Sequence, residues 1–105
     1  MRLDYSEHPE ATKELLEAVR RYQEVRAGLG DDFNSAVVAP ILDIVQSPSS
    51  WPKVAYWGEA PEVRRRAVRG FPQRVLYYLR DGEVVIGAYA HERRRPGYWM
   101  RRIDG

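Results

Sequence analysis

The sequence contains no cysteine. Disulfide staples, thiolate metal sites and a cysteine nucleophile are therefore excluded, and a reducing cytoplasm is allowed. No apolar run approaches the length of a membrane span, and the opening residues Met1-Arg2-Leu3-Asp4-Tyr5 carry none of signal length. The expectation is a cytoplasmic protein with no membrane partner. No Asp/Glu/His cluster has metal-ligand spacing, so neither a metal nor another cofactor is expected. A glycine-rich phosphate loop is missing too, since Gly28-Leu29-Gly30 reads as helix punctuation. Residues 61–105 contain no lysine at all: every basic side chain there is arginine.

What is present suits one domain over residues 1–105, with 44% hydrophobic and 11% aromatic residues and 30% charge. The net charge of +2 conceals an asymmetry. Residues 1–60 hold six Lys/Arg against ten Asp/Glu, a balance of −4, whereas residues 61–105 hold eleven Arg against five Asp/Glu, a balance of +6. Arginine presents a planar fork that grips phosphate or carboxylate at two points, which lysine cannot do. Such a surface is either a solvated basic face or a contact for an anionic partner, whether nucleic acid or acidic peptide.

The spacing of apolar residues predicts a short strand over Arg2–Ser6 and then a helix opening at Glu7-His8-Pro9-Glu10-Ala11. Leu15, Ala18/Val19, Tyr22, Val25/Arg26 and Leu29 form its stripe. Gly28 and Gly30 are natural stops, and Asp31 or Asp32 is a candidate cap for a second helix with Phe33, Val37, Ile41 and Ile44/Val45 on its apolar side. Pro40 should kink or split that helix. The short link makes the two helices an antiparallel hairpin. The exposed side of the hairpin (Glu10, Glu14, Glu17, Arg21, Glu24) reads as ordinary solvated surface. Residues 46–61 read as a long loop whose two tryptophans either lid the core or face a partner.

The remainder is β-rich. Val63–Arg69 has extended character, Gly70-Phe71-Pro72-Gln73 is a turn or bulge, and Arg74–Arg80 and Glu83–Glu92 flank the hairpin signal Asp81-Gly82. In the last strand, alternation puts Val84, Ile86, Ala88 and Ala90 on one side and Val85, Gly87, Tyr89 and His91 on the other. One set must pack on the helical hairpin, leaving the other more open. The tail from Arg93 begins as a turn and can end in a short helix. The predicted class is α+β, ordered β-α-α-β-β-β, with the two-helix hairpin on a mostly antiparallel curved sheet.

Several segments in this order resemble one family. They are His8-Pro9-x-Ala11 opening a helix, Gly28-Leu29-Gly30 followed by Phe33, and Ser50-Trp51-Pro52 after the second helix. Next come Gly70-Phe71-Pro72 leading into Val75-Leu76-Tyr77, then Asp81-Gly82-x-Val84-Val85-Ile86, and finally Ala90-His91-x-Arg93-Arg94-x-Pro96-Gly97-Tyr98-Trp99. Over roughly residues 8–99 the chain resembles the RelE/ParE toxins of type II toxin–antitoxin systems. The resemblance implies a small fold of a two-helix hairpin against a curved sheet, and a cognate antitoxin that wraps and neutralises the toxin in a hetero-oligomer. It also implies one of two activities, inhibition of DNA gyrase (ParE-like) or cutting of mRNA in the ribosome (RelE-like); apart from the resemblance, a small basic nucleic-acid-binding or interaction domain with no toxicity is the third reading. The His91-x-Arg93-Arg94 pattern leans slightly toward the first. Many relatives carry tyrosine after Phe-Pro where this chain has Gln73, which bears on the target if that position contacts it.

Metal-free RNA cutting needs a base for the ribose 2′-hydroxyl, an acid for the leaving oxygen and cations for the phosphorus. The candidates here are Arg65, His91, Arg93, Arg94 and Tyr98, a catalytic set that applies only to the RelE-like reading. For a target held by binding alone, Arg66, Arg93, Arg94, Arg95, Tyr98 and Trp99 are the candidate contacts. The plain alternatives are a structural histidine at a strand end, a solvated arginine run, and a Tyr98-Trp99 pair that anchors the tail to the core.

Overall fold

In a computed structural model, which describes residues 4–103, the chain forms β1 (Tyr5–Glu7), α1 (Pro9–Val25), α2 (Leu29–Ala36), α3 (Val38–Gln46), β2 (Arg64–Ala67), β3 (Gln73–Arg80) and β4 (Glu83–His91). A 3-10 turn, Met100–Arg102, follows in the tail. The α+β class and the element order agree with the sequence reading, except that the second helix is two. Of the expected first strand, Arg2 and Leu3 lie outside the described residues.

α1 starts as its sequence dictates: the His8 side chain accepts from the Glu10 N–H at 3.1 Å, and Pro9 occupies the first helical position, where no N–H is needed. It ends at Val25 with Arg26 extended, and the chain then turns at Gly28, left-handed at φ 91°. That glycine also caps α2, so neither Asp31 nor Asp32 is the cap that was expected. Both aspartates lie in the first turn, favourably placed against the helix dipole. The side-chain oxygen of Gln23 on α1 accepts from Gly30 N–H at 2.7 Å and so satisfies the start of α2. Gly30, expected as a stop, instead lies inside α2 and lets the two helices touch: a Cβ there would stand 2.3 Å from the Val19 carbonyl oxygen. The predicted split by Pro40 falls at Val37, and Pro40 sits in the first turn of α3, where its missing N–H costs nothing.

The strands form one sheet in the order β1-β4-β3-β2, with β1 parallel to β4 and the other two pairings antiparallel. Asp81 and Gly82 both have positive φ, the geometry of a two-residue hairpin turn matched to strand twist. Leu76 pairs with Ala88 but Tyr77 pairs with Ile86, so Gly87 is an extra residue on β4. This bulge corrects the predicted alternation. Val84, Ile86 and Tyr89 pack toward the helices, with Ala11, Ala18, Phe33, Val37, Ile41 and Ile44. Val85, Ala88 and Ala90 pack on the opposite side, with Leu76, Tyr78 and Trp99.

That opposite side is not open, as expected, but carries a second core. The loop after α3 and the tail close over it, contributing Val54, Val63, Trp57, Trp99 and Ile103. Both loop tryptophans serve as lids. Trp51 donates its indole N–H to the Asp43 carbonyl at 3.0 Å on the helix side, and Trp57 donates to the Pro61 carbonyl at 2.8 Å beside Trp99.

Candidate functional site

Alternation along the strands sorts the arginines. Arg64, Arg65 and Arg66 are consecutive on β2, so only Arg65 points to the tail side. It pairs with Leu76 on β3, and Arg74, two residues before Leu76, points the same way. Residues 94–99 of the tail lie over this end of the sheet, and the tail then runs back to Arg80, beside the Asp81-Gly82 turn. Between tail and sheet lies a cavity of about 230 Å³ lined by Arg65, Arg74, His91, Arg94 and Arg95, with Tyr56, Tyr98 and Trp99 as its aromatic surface. Glu92 is the one carboxylate among the lining residues. Four guanidinium groups around one concavity, set against a single carboxylate, give it an excess of positive charge.

A second cavity of about 290 Å³ lies on the helix side, lined by Glu14, Glu17, Arg21, Gln73, Tyr89 and Arg93. His91, Arg94 and Tyr98 border both cavities and form the wall between them. In that wall the Tyr98 ring lies under the Arg94 guanidinium at 3.9 Å and within 5.1 Å of that of Arg102. The Tyr98 hydroxyl donates to Glu14 at 2.5 Å. Arg102 donates to the same carboxylate at 2.9 and 3.2 Å, and the Tyr89 N–H donates to it at 3.1 Å. Burial, and then the facing Glu14 carboxylate, hold the Tyr98 phenol well above its usual range.

These bonds decide what the wall can do chemically. His91 accepts the Arg93 N–H on Nδ1 at 3.0 Å, so its neutral ring carries the proton on Nε2. The one basic lone pair of that ring is therefore engaged. The Tyr98 proton is directed at Glu14, away from the first cavity, and its raised pKa makes it a weak acid. In this arrangement the cavity presents its arginines to an anion, whereas acid–base work by His91 or Tyr98 would require each of them to exchange partners.

Of the candidate residues, Arg65, His91, Arg94, Arg95, Tyr98 and Trp99 meet at the first cavity. Trp99 does so as its floor, 2% exposed and 5.5 Å from the Trp57 ring, so it also anchors the tail. Arg93 is exposed and borders the second cavity instead. Arg66 is on the helix side, its guanidinium 3.1 Å from Asp43 and 3.9 Å from the Trp51 ring centre. Gln73, where many relatives of the resembled family carry tyrosine, is 3% exposed and accepts from the Tyr22 hydroxyl at 3.0 Å. It supports α1 against the sheet.

Sequence reasoning missed Arg74, Tyr56 and Glu14. Arg74 was placed on its strand but not on a face; its distance of two from Leu76 was the usable signal. Tyr56 sits in irregular chain, and nothing in its neighbourhood marks it. Glu14 was grouped with the solvated acids, and this is corrected: its side chain is only 15% exposed. The signal was its place three residues after Ala11 and four before Ala18, on the buried stripe of α1. Among the described residues no three His, Asp or Glu side chains are grouped to hold a metal ion, and no helix is long and apolar enough to cross a membrane. Compared with known proteins, the chain matches no family model and no curated protein.

Proposed function

We propose that this chain is the toxin of a type II toxin–antitoxin pair of the RelE/ParE kind, acting in the cytoplasm by gripping its target rather than by cutting it. The target in this reading is DNA gyrase, and a cognate antitoxin neutralises the toxin in a hetero-oligomer. The observation that carries the reading is the arginine-lined cavity whose two candidate proton carriers are already engaged, His91 by the Arg93 N–H and Tyr98 by Glu14. Forked cations around a concavity suit carboxylate or phosphate groups held in fixed orientation. The resemblance of residues 8–99 to the family supplies the biological setting.

A second reading, a ribosome-dependent mRNA endonuclease, is favoured by one feature: Arg65, Arg74, His91 and Arg94 surround a single cavity. Controlled expression of the chain alone in bacteria, following DNA and mRNA together, separates the two. Growth arrest with filamentation, a DNA-damage response and intact transcripts is expected. Rapid, translation-dependent mRNA cutting would replace the first reading by the second, and harmless expression would remove both.

A further inference from the structure

Strand β1 is too short to cover its neighbour. It pairs with β4 only over Val84–Ile86, and His8 N–H makes the last bond, to the Ile86 carbonyl at 2.8 Å. Beyond that point the edge of β4 would present unpaired backbone groups. Two side chains stand in for the missing strand. Glu14 from α1 accepts the Tyr89 N–H, and Arg102 from the tail donates to the Gly87 carbonyl at 3.0 Å. The same two side chains are joined to each other at 2.9 Å, with side-chain exposures of 13% and 15%. Glu14 takes the Tyr98 hydroxyl as well.

We propose that Glu14 is a positioning residue for the arginine-lined cavity: by holding Tyr98 and Arg102 it fixes the tail as that cavity's wall and sets Arg94 over it. Glu14 does not border the first cavity itself and faces the second. It acts through the partition, because the ring it holds by the hydroxyl is the platform under the Arg94 guanidinium. The adjacent Trp99 is the cavity floor, so the tail cannot swing away without dismantling both. A carboxylate is required because three donors, one of them a guanidinium, converge on two oxygens, and an amide offers only one acceptor oxygen.

The part of this inference that concerns activity rests on the proposed reading of the cavity; the structural part does not. Glu14→Ala, Glu14→Gln and Tyr98→Phe are compared with the wild-type chain by amide hydrogen exchange and by growth arrest on expression. Loss of a hydrogen bond to a charged group should speed exchange of the Tyr89 amide and of the tail amides of Tyr98, Met100 and Arg102 about tenfold in Glu14→Ala. Amides of α1 and β3 should keep their protection. Tyr98→Phe, which keeps the ring and folds with no buried charge left alone, should loosen the tail in the same direction. Glu14→Gln should recover part of the protection, and growth arrest should follow tail protection across the series. The double variant of Glu14→Ala with Tyr98→Phe should exceed Glu14→Ala only slightly, since Glu14→Ala already removes the Glu14–Tyr98 link. Unchanged tail exchange in Glu14→Ala and Tyr98→Phe, or effects that simply add, would overturn the proposal. A wild-type chain that leaves growth untouched would sink the toxin reading, while the exchange experiment would still decide the role of Glu14.

Discussion

The two faces of the sheet are covered by different means. On the helix face, regular elements bury aliphatic and aromatic side chains at helical spacing, and Tyr22, Phe33 and Phe71 meet with ring centroids 5.0–5.2 Å apart. On the tail face, irregular chain is laid over a smaller cluster and held by side-chain bonds, among them Arg80 to the Ile103 carbonyl at 3.0 Å. The first arrangement supplies stability through packing that can be read from periodicity. The second leaves room for a cavity, since a loop and a tail need not meet edge to edge. Irregular segments on a rigid scaffold commonly carry binding residues; here the cavity joins residues of such segments to Arg65 and Arg74 of the strands.

The comparison breaks most severely at Phe33. Phe33→Ala should destabilise the whole molecule by about 3–5 kcal/mol in urea unfolding, because a cavity in the helix-face core cannot be refilled. Trp99→Ala should cost about 3 kcal/mol, at the low end for a buried aromatic, since the tail can detach and admit water. Its far-UV circular dichroism should stay near native while growth arrest is lost. Loss of the native far-UV circular dichroism in Trp99→Ala would mean that the two faces are one cooperative unit.

Alkaline pH probes both faces at once. Burial raises the Tyr77 phenol to about 12, and burial together with Glu7 or Glu14 raises Tyr89 and Tyr98 further. A raised phenol favours the folded state while protonated. Its contribution is therefore complete below the ordinary value of 10.0 and is lost as pH climbs through the raised value. Unfolding should set in above pH 10 together with phenolate absorbance; gradual ionisation with no loss of structure would contradict the burial of these rings. The smallest effect is expected at Arg66. Its ion pair with Asp43 is 38% exposed on both sides, so Arg66→Ala should cost no more than about 1 kcal/mol in urea unfolding. On the proposed reading, Arg66→Ala retains growth arrest and paired Arg65→Ala and Arg74→Ala abolish it.

The same division explains what the sequence disclosed. The helix face was legible because Phe33, Val37, Ile41 and Ile44 repeat at helical spacing and Asp81-Gly82 admits few other structures. The tail face was not, for three reasons. The Gly87 bulge reverses the alternation halfway along β4, and a glycine in a strand signals a bulge only in retrospect. The parallel pairing of β1 with β4 leaves no local mark, because it joins residues at opposite ends of the described chain. Glu14 looked solvated because an acid on a helix usually is, and the partners that bury it lie 75–88 positions away. Of the candidate site, six of the eight proposed residues were brought together, while Arg93 and Arg66 were separated from them by the parity of a strand and the course of a turn.

The pairing of β1 with β4 also sets an order of events during synthesis. Residues 5–7 are made well before their partners, residues 84–86. The hairpin of β3 and β4 can close locally, whereas the sheet's far edge must wait for a contact of long sequence separation. The tail residues that wall the cavity, within 94–99, follow later still. Arg65 and Arg74 therefore emerge before the tail residues that complete their cavity, which cannot form until Arg94, Tyr98 and Trp99 are in place.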